Sequence, residues 1–306
     1  MADIVFSGVN FSGGFAITAP PPPPSSKAIF GYGYSTARVS ITNLVSDTGV
    51  VANDTTGVGT ARNYPAAATY GTDKAIFGYG YSNAGSTAIT NLVSNTGVVA
   101  TDTAGVGTAR YGLAAAGYGT DKAIFGYGDQ GSMTNLVSNT GVVASNTTGV
   151  GTARSFLAAA GYGTDKALFG YGEGGSVTAI TNLVSNTGVV AGNTTGVGTA
   201  RRDLAAAGYG TDKAIFGYGM DATYTGVSMT NKVSNTGVVA TDTTGVGSIR
   251  SSLAAAVYGV DKAIFAYGSN NGPTNLVSNT GVVATDTTGV GTIRSNLAAA
   301  GYGYTS

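Results

Sequence analysis

The chain repeats itself. The segment Lys-Ala-Ile/Leu-Phe-Gly/Ala-Tyr-Gly starts at Lys27, Lys74, Lys122, Lys166, Lys213 and Lys262, at spacings of 44 to 49 residues in a chain of 306. Each copy runs on through Thr-Asn-Leu/Lys-Val-Ser-Asn/Asp-Thr-Gly-Val-Val-Ala into a Thr/Asp-rich stretch and Gly-Val-Gly. An Arg follows soon after (Arg62, Arg110, Arg154, Arg201, Arg250 and Arg294), then two variable residues, an Ala-rich segment and Tyr-Gly. A repeat of this period is one supersecondary unit that cannot bury its apolar face alone and must stack on its neighbours.

Four strands fit one unit. Residues 113–119 read as the first, and Thr120-Asp121 turns the chain. Lys122 to Gly128 form the second, with Ala123, Phe125 and Tyr127 on one face by alternation. Residues 134–138 form the third. Asn139-Thr140-Gly141 is a tight turn, Gly supplying the positive φ of a hairpin, and 142–147 form the fourth. The Ala runs are too short, and too closely flanked by Gly, to stand as helices. Four-stranded units repeated six times predict an all-β, six-bladed β-propeller, with the small Ala side chains where the blades converge. A parallel β-helix is the competing architecture, but its rungs are far shorter than this repeat. The ends predict closure: Lys27 opens a second strand with no first strand before it, and 297–303 form a first strand with no second after it. Together they make one blade, so the C-terminal strand closes the ring and removes an open sheet edge. The division expected is 1–26, an apolar segment with the polyproline spacer Pro20 to Pro24, and 27–306, the propeller.

Composition excludes much chemistry. The chain has no Cys and no His, so no disulfide, no thiolate or imidazole metal ligand and no Ser-His or Cys-His nucleophile can be assembled. The net charge is zero with 10% charged residues, which offers no footprint for nucleic acid. The apolar runs suit strands and are too short to insert in a membrane as helices. The N-terminus lacks a basic region followed by a continuous apolar stretch, so no secretory signal is expected.

The order Arg110, Leu113 to Ala116, a turn, Lys122 to Phe125, Gly126-Tyr127-Gly128, a variable loop and two further strands resembles a kelch-type repeat. The resemblance covers 27–306 and implies a propeller. It departs from the kelch pattern in two ways: the double glycine is Gly-Tyr-Gly, and the Trp is missing. Copper radical oxidases use kelch-like propellers, but they need His and a Cys-linked Tyr. In texture the near-identical copies also resemble repeat proteins of phage virions, which implies a structural, attachment-type role.

The copies differ in two windows. One is the pair after the Arg: 63–64, 111–112, 155–156, 202–203, 251–252 and 295–296. The other follows Gly-Tyr-Gly: 34–41, 81–89, 129–133, 173–180, 220–229 and 269–273. Antiparallel geometry puts both at one end of the strands and the constant turns at the other. Loops on a rigid scaffold are where binding resides, although loops freed from packing also drift. The candidate binding residues are Asn63, Tyr64, Tyr111, Phe156, Arg202, Asp203, Ser251 and Asn296 near the axis. Tyr81, Asp129, Glu173, Met220, Tyr224 and Asn270 lie farther out.

Other features have plainer readings. Six equivalent Arg residues suit an anion site, but repetition in every blade favours pairing with backbone carbonyls or Asp. The Asp-Lys pairs at the constant turns read as solvated charges. Asp/Thr clusters such as Thr101-Asp102-Thr103 lack the dense carboxylates of a calcium cage. No close acidic pair for glycoside hydrolysis stands out, and Asn-Thr-Thr sequons arise easily in such a repeat. The expectation is a non-enzymatic structural or adhesive virion protein, without cofactor or metal, binding a host surface glycan or protein. Residues 1–26 would contact other virion proteins or pack on the ring. A free lectin-like or scaffold propeller at a cell surface is the alternative.

Overall fold

The computed structural model describes residues 25–269 and 272–305. The described residues are all-β, with no helix. Six antiparallel three-stranded sheets share one construction. Their first strands are Ala66–Tyr70, Ala114–Tyr118, Ala158–Tyr162, Ala205–Tyr209, Ala254–Tyr258 and Ala298–Thr305. The second strands, paired to these in order, are Lys74–Gly78, Lys122–Gly126, Lys166–Gly170, Lys213–Gly217, Lys262–Ala266 and Ser25–Gly31. The third strands are Thr90–Val93, Thr134–Val137, Thr181–Val184, Thr230–Val233, Thr274–Val277 and Thr42–Val45. The Ala runs are therefore strands, as their flanking glycines predict. The last strand pairs with the earliest one, Ala299 opposite Phe30 and Gly301 opposite Ala28. That pairing begins at Ser25, two residues ahead of the boundary expected at Lys27. Residues 1–24, which hold nearly all of the expected N-terminal segment, lie outside the described residues.

The fourth strand is where expectation and structure part. Residues 142–147 make only two isolated bridges, Val143 to Val137 and Thr147 to Thr134. The outer segment carries one residue more than the stretch it faces, which breaks the ladder as a bulge does. The break frees the side chain of Asn146. Its Oδ1 accepts from Asn135 Nδ2 (3.0 Å) and its Nδ2 donates to Thr108 Oγ1 of the preceding repeat (2.7 Å).

Tyr127 also departs from expectation. Ala123 and Phe125 pack with Ile76 and Tyr79 of the preceding sheet, whereas Tyr127 packs with Ile124 and Phe169 toward the next one. The reason is local: Tyr127 has φ 65°, which breaks the two-residue alternation and turns its ring to the other side. Every Gly-Tyr-Gly does this. Tyr79 meets Phe125, Tyr127 meets Phe169, Tyr171 meets Phe216, and Tyr218 meets Phe265, at ring separations of 5.0 to 5.2 Å. Tyr32 meets Phe77 at 5.1 Å, and Tyr267 meets Phe30 at 5.4 Å, joining the last repeat to the first. Edge-to-face pairs of this kind add about 0.5–1.5 kcal/mol each beyond area burial.

Candidate binding surface

The two variable windows meet, as antiparallel geometry requires. Ser155 and Glu173 exchange backbone hydrogen bonds of 2.9 Å. Arg202 and Met220 do the same, as do Tyr34 and Ser295, and Arg62–Asn63 pairs with Tyr81–Ser82. Asp129 N donates to Tyr111 O (3.1 Å), and Ser269 N donates to Ser251 O (3.0 Å).

The second residue of each first window closes a circle of backbone hydrogen bonds. Tyr64 N donates to Asn296 O (2.7 Å), Gly112 N to Tyr64 O (3.4 Å) and Phe156 N to Gly112 O (2.7 Å). Asp203 N then donates to Phe156 O (2.9 Å), Ser252 N to Asp203 O (2.8 Å) and Asn296 N to Ser252 O (2.8 Å). All six residues have φ between 52° and 63°. Gly112 takes that left-handed conformation freely and Asp203 and Asn296 tolerate it, whereas Tyr64, Phe156 and Ser252 each cost about 1 kcal/mol. A cavity of about 70 Å³ lies among these six residues and the six that follow them, Pro65 and five leucines.

On this frame the variable side chains form one continuous tract. The Arg38 guanidinium lies 4.9 Å from the Tyr81 ring centroid. Tyr81 meets Tyr111 at 5.3 Å, Tyr111 meets Tyr64 at 5.8 Å, and Tyr64 meets Phe156 at 5.2 Å. The Arg202 guanidinium sits 4.2 Å from the Phe156 centroid. Arg202 pairs with Glu173 and, at 2.9 Å, with Asp203. Tyr224 donates its hydroxyl to Glu173 Oε1 at 2.7 Å. Burial pushes the Asp203 carboxyl up against the opposing pull of Arg202, and the hydrogen bond to Glu173 raises the Tyr224 hydroxyl.

The structure thus brings together Tyr64, Tyr81, Tyr111, Phe156, Glu173, Arg202, Asp203 and Tyr224. Asn63 and Ser251 are buried beneath the surface, so they shape it without facing a ligand directly. Met220 pairs with Arg202, Asn296 belongs to the backbone circle and Asp129 is exposed beside Tyr111. Asn270 lies outside the described residues. Sequence reasoning passed over Arg38 and Asn83. Arg38 carried a usable signal, because it is the one Arg besides Arg202 that breaks the repeat.

The other candidates serve the scaffold. The six repeated Arg residues are buried. Arg110 Nε donates to Tyr127 O (2.8 Å), Nη1 to Thr108 O (3.1 Å) and Nη2 to Asn135 Oδ1 (2.7 Å), and its guanidinium lies 4.3 Å from the Tyr79 centroid. This is the pairing with carbonyls that repetition favoured. Asp102 accepts from Thr60 N, Thr60 Oγ1 and Asn91 Nδ2. No group of three or more potential metal-binding side chains occurs among the described residues. At the opposite end, the adjacent Asp-Lys pairs stand 2.6 to 3.1 Å apart with Lys side chains 42 to 45% exposed. Pairs so solvated stabilise little.

No known protein-family model matches the sequence, and no curated protein is significantly similar to it.

Proposed function

We propose that the six sheets are blades of a six-bladed, kelch-like propeller, each completed by its outer segment and the ring closed by Ala298–Thr305. We propose further that the protein is a non-enzymatic adhesive module of a virion whose variable face binds a host surface glycan or protein. Closure is supported by two sets of contacts that run through all six repeats and return to the start, the Tyr–Phe pairs and the backbone circle, and by Arg294 Nε donating to Tyr32 O (2.8 Å). The binding role rests on one observation above the rest. Residues that differ between repeats converge from five of them into the tract from Arg38 to Tyr224, whereas the opposite end repeats itself. A rigid frame with aromatic and Arg side chains at one face has the anatomy of a recognition surface. The chain enters its first sheet at the constant end, where Ser26 O accepts from Gly259 N (2.8 Å). Attachment to other virion proteins through residues 1–26 would therefore leave the variable face turned away.

The test uses the full chain on an array of surface glycans and on isolated host envelopes. Tyr111, Phe156 and Arg202 changed together to Ala should abolish capture. Thr120 and Thr164 changed to Gly, at the opposite end, should leave it intact. Loss from the second variant with retention by the first would place binding on the constant face.

A further inference from the structure

Arg38 differs from every other Arg in its surroundings. The repeated Arg residues are buried, and Arg202 is balanced by two carboxylates. Among the described residues no carboxylate lies within ion-pair range of Arg38. Two amides hold it instead: Nε donates to Asn63 Oδ1 (3.1 Å) and Nη1 to Asn83 Oδ1 (2.9 Å). Asn63 is buried and the Tyr81 ring lies against the guanidinium, so the plane of the fork is set before any ligand arrives. Neutral partners orient the guanidinium without cancelling its charge, and one terminal nitrogen remains unassigned. A planar, oriented fork of this kind matches a carboxylate.

The rest of the tract is graded away from Arg38. Exposed Tyr81 leads to Tyr111, and beyond Tyr64 and Phe156 stand Glu173, Asp203 and the Tyr224 hydroxyl. One end takes an anion, the middle offers aromatic surface, and at the far end Arg202 is already balanced by Glu173 and Asp203, so it offers no second anion seat. Tyr64, Tyr111 and Phe156 lie within 5.2 to 6.2 Å of one another and make one aromatic patch, with Tyr81 leading into it. Sugar hydroxyls suit the carboxylate end, and the apolar faces of the rings suit the middle. We infer that the ligand is an acidic oligosaccharide, with a sugar carboxylate seated on Arg38 and neutral residues extending toward Glu173. The inference rests on the reading that the variable face binds.

The full chain is assayed against four probes: neutral oligosaccharides, the same backbones with a uronic or sialic-type carboxylate, their sulfated counterparts, and an acidic peptide. Carboxylated glycans should bind about tenfold or more tighter than their neutral counterparts. Methyl esterification of the sugar carboxylate should erase the difference with the protein unchanged. Arg38→Met should erase it as well while unfolding stays cooperative, with a modest drop in melting temperature because the buried Asn63 Oδ1 loses its donor. Arg38→Lys, which keeps the charge and loses the fork, should fall between Met and wild type. Neutral glycans bound as tightly as acidic ones, with esterification without effect, would overturn the ligand assignment while leaving the variable face as the binding surface. Preference for sulfated glycans over carboxylated ones, or for the acidic peptide over any glycan, would overturn it too. Failure of all probes, together with capture of host envelopes that survives the Tyr111, Phe156 and Arg202 changes, would overturn the parent reading and this inference with it.

Discussion

At the scale of single residues, the molecule assigns its charges to two tasks. The repeated Arg links sheets, and its type was legible from repetition alone, since a single ligand seldom needs six equivalent contacts. Arg110→Ala would leave Asn135 and the Tyr127 carbonyl without a donor in a buried place. With two buried acceptors unpaired at about 1–3 kcal/mol each, the expected loss is about 3 kcal/mol, read from denaturant unfolding; a loss under about 1 kcal/mol would show the guanidinium to be incidental. The Asp residues of the outer segments make a sharper case. Burial alone would raise the Asp102 carboxyl, but hydrogen bonds from Thr60 and Asn91 and the charge of Arg62 hold it below 3.8. Asp54, Asp242 and Asp286 are lowered in the same way. A depressed folded value means that this stability is present above the ordinary value near 3.8 and lost as pH falls through the lower folded one. Two repeats carry Asn146 and Asn193 at this place, each still accepting from the neighbouring repeat's Thr. Changing the four Asp residues to Asn should therefore flatten the acid decline of melting temperature by bringing neutral stability down toward the acid value. An unchanged acid decline would move its origin elsewhere. At alkaline pH the direction reverses. Burial pushes the Tyr218 hydroxyl up to about 12, so its contribution is present below about 10 and lost between the two.

At the scale of elements, three strands of each repeat were legible and the fourth was not. Alternation and turn residues mark the first three. The outer segment has the same Val-Val-Ala texture, and nothing in its composition announces the extra residue that breaks its ladder. The side of Tyr127 was misread for a related reason, because alternation fails where φ turns positive and a Tyr gives no warning of that. The glycine ending the second strand has a clear cause. A Cβ at Gly126 would come within 2.6 Å of Phe169, the ring that Tyr127 packs against. The sixth repeat has Ala266 there, and its ring pair is the widest of the set at 5.4 Å. Gly126→Ala should destabilise by about 1–3 kcal/mol. A neutral substitution would mean that the Phe rings yield more readily than this packing implies. The terminal strand carries more. Removing 295–306 takes away the partner of Ser25–Gly31, and the truncated chain should aggregate or melt well below the intact one. A soluble truncation with unchanged melting would contradict closure by that strand.

At the scale of the whole molecule, one end repeats and the other varies. That division was legible by comparing the copies with one another, because antiparallel strands deliver both windows to the same end. The backbone circle was not legible, since residues as unlike as Tyr64, Asp203 and Asn296 share one conformation there and no local pattern links them. The division is tested most directly by making the variable end repeat as well. Residues 251–252 and 269–273 carry no aromatic or charged side chain, and Ser252 already holds its place in the backbone circle. Copying both windows into the other five repeats should leave the fold and cooperative unfolding in place, because those loops are native to one repeat. Attachment to host envelopes should disappear. A symmetrised protein that folds and still attaches as tightly as the original would contradict the claim that the diversified face is the binding surface.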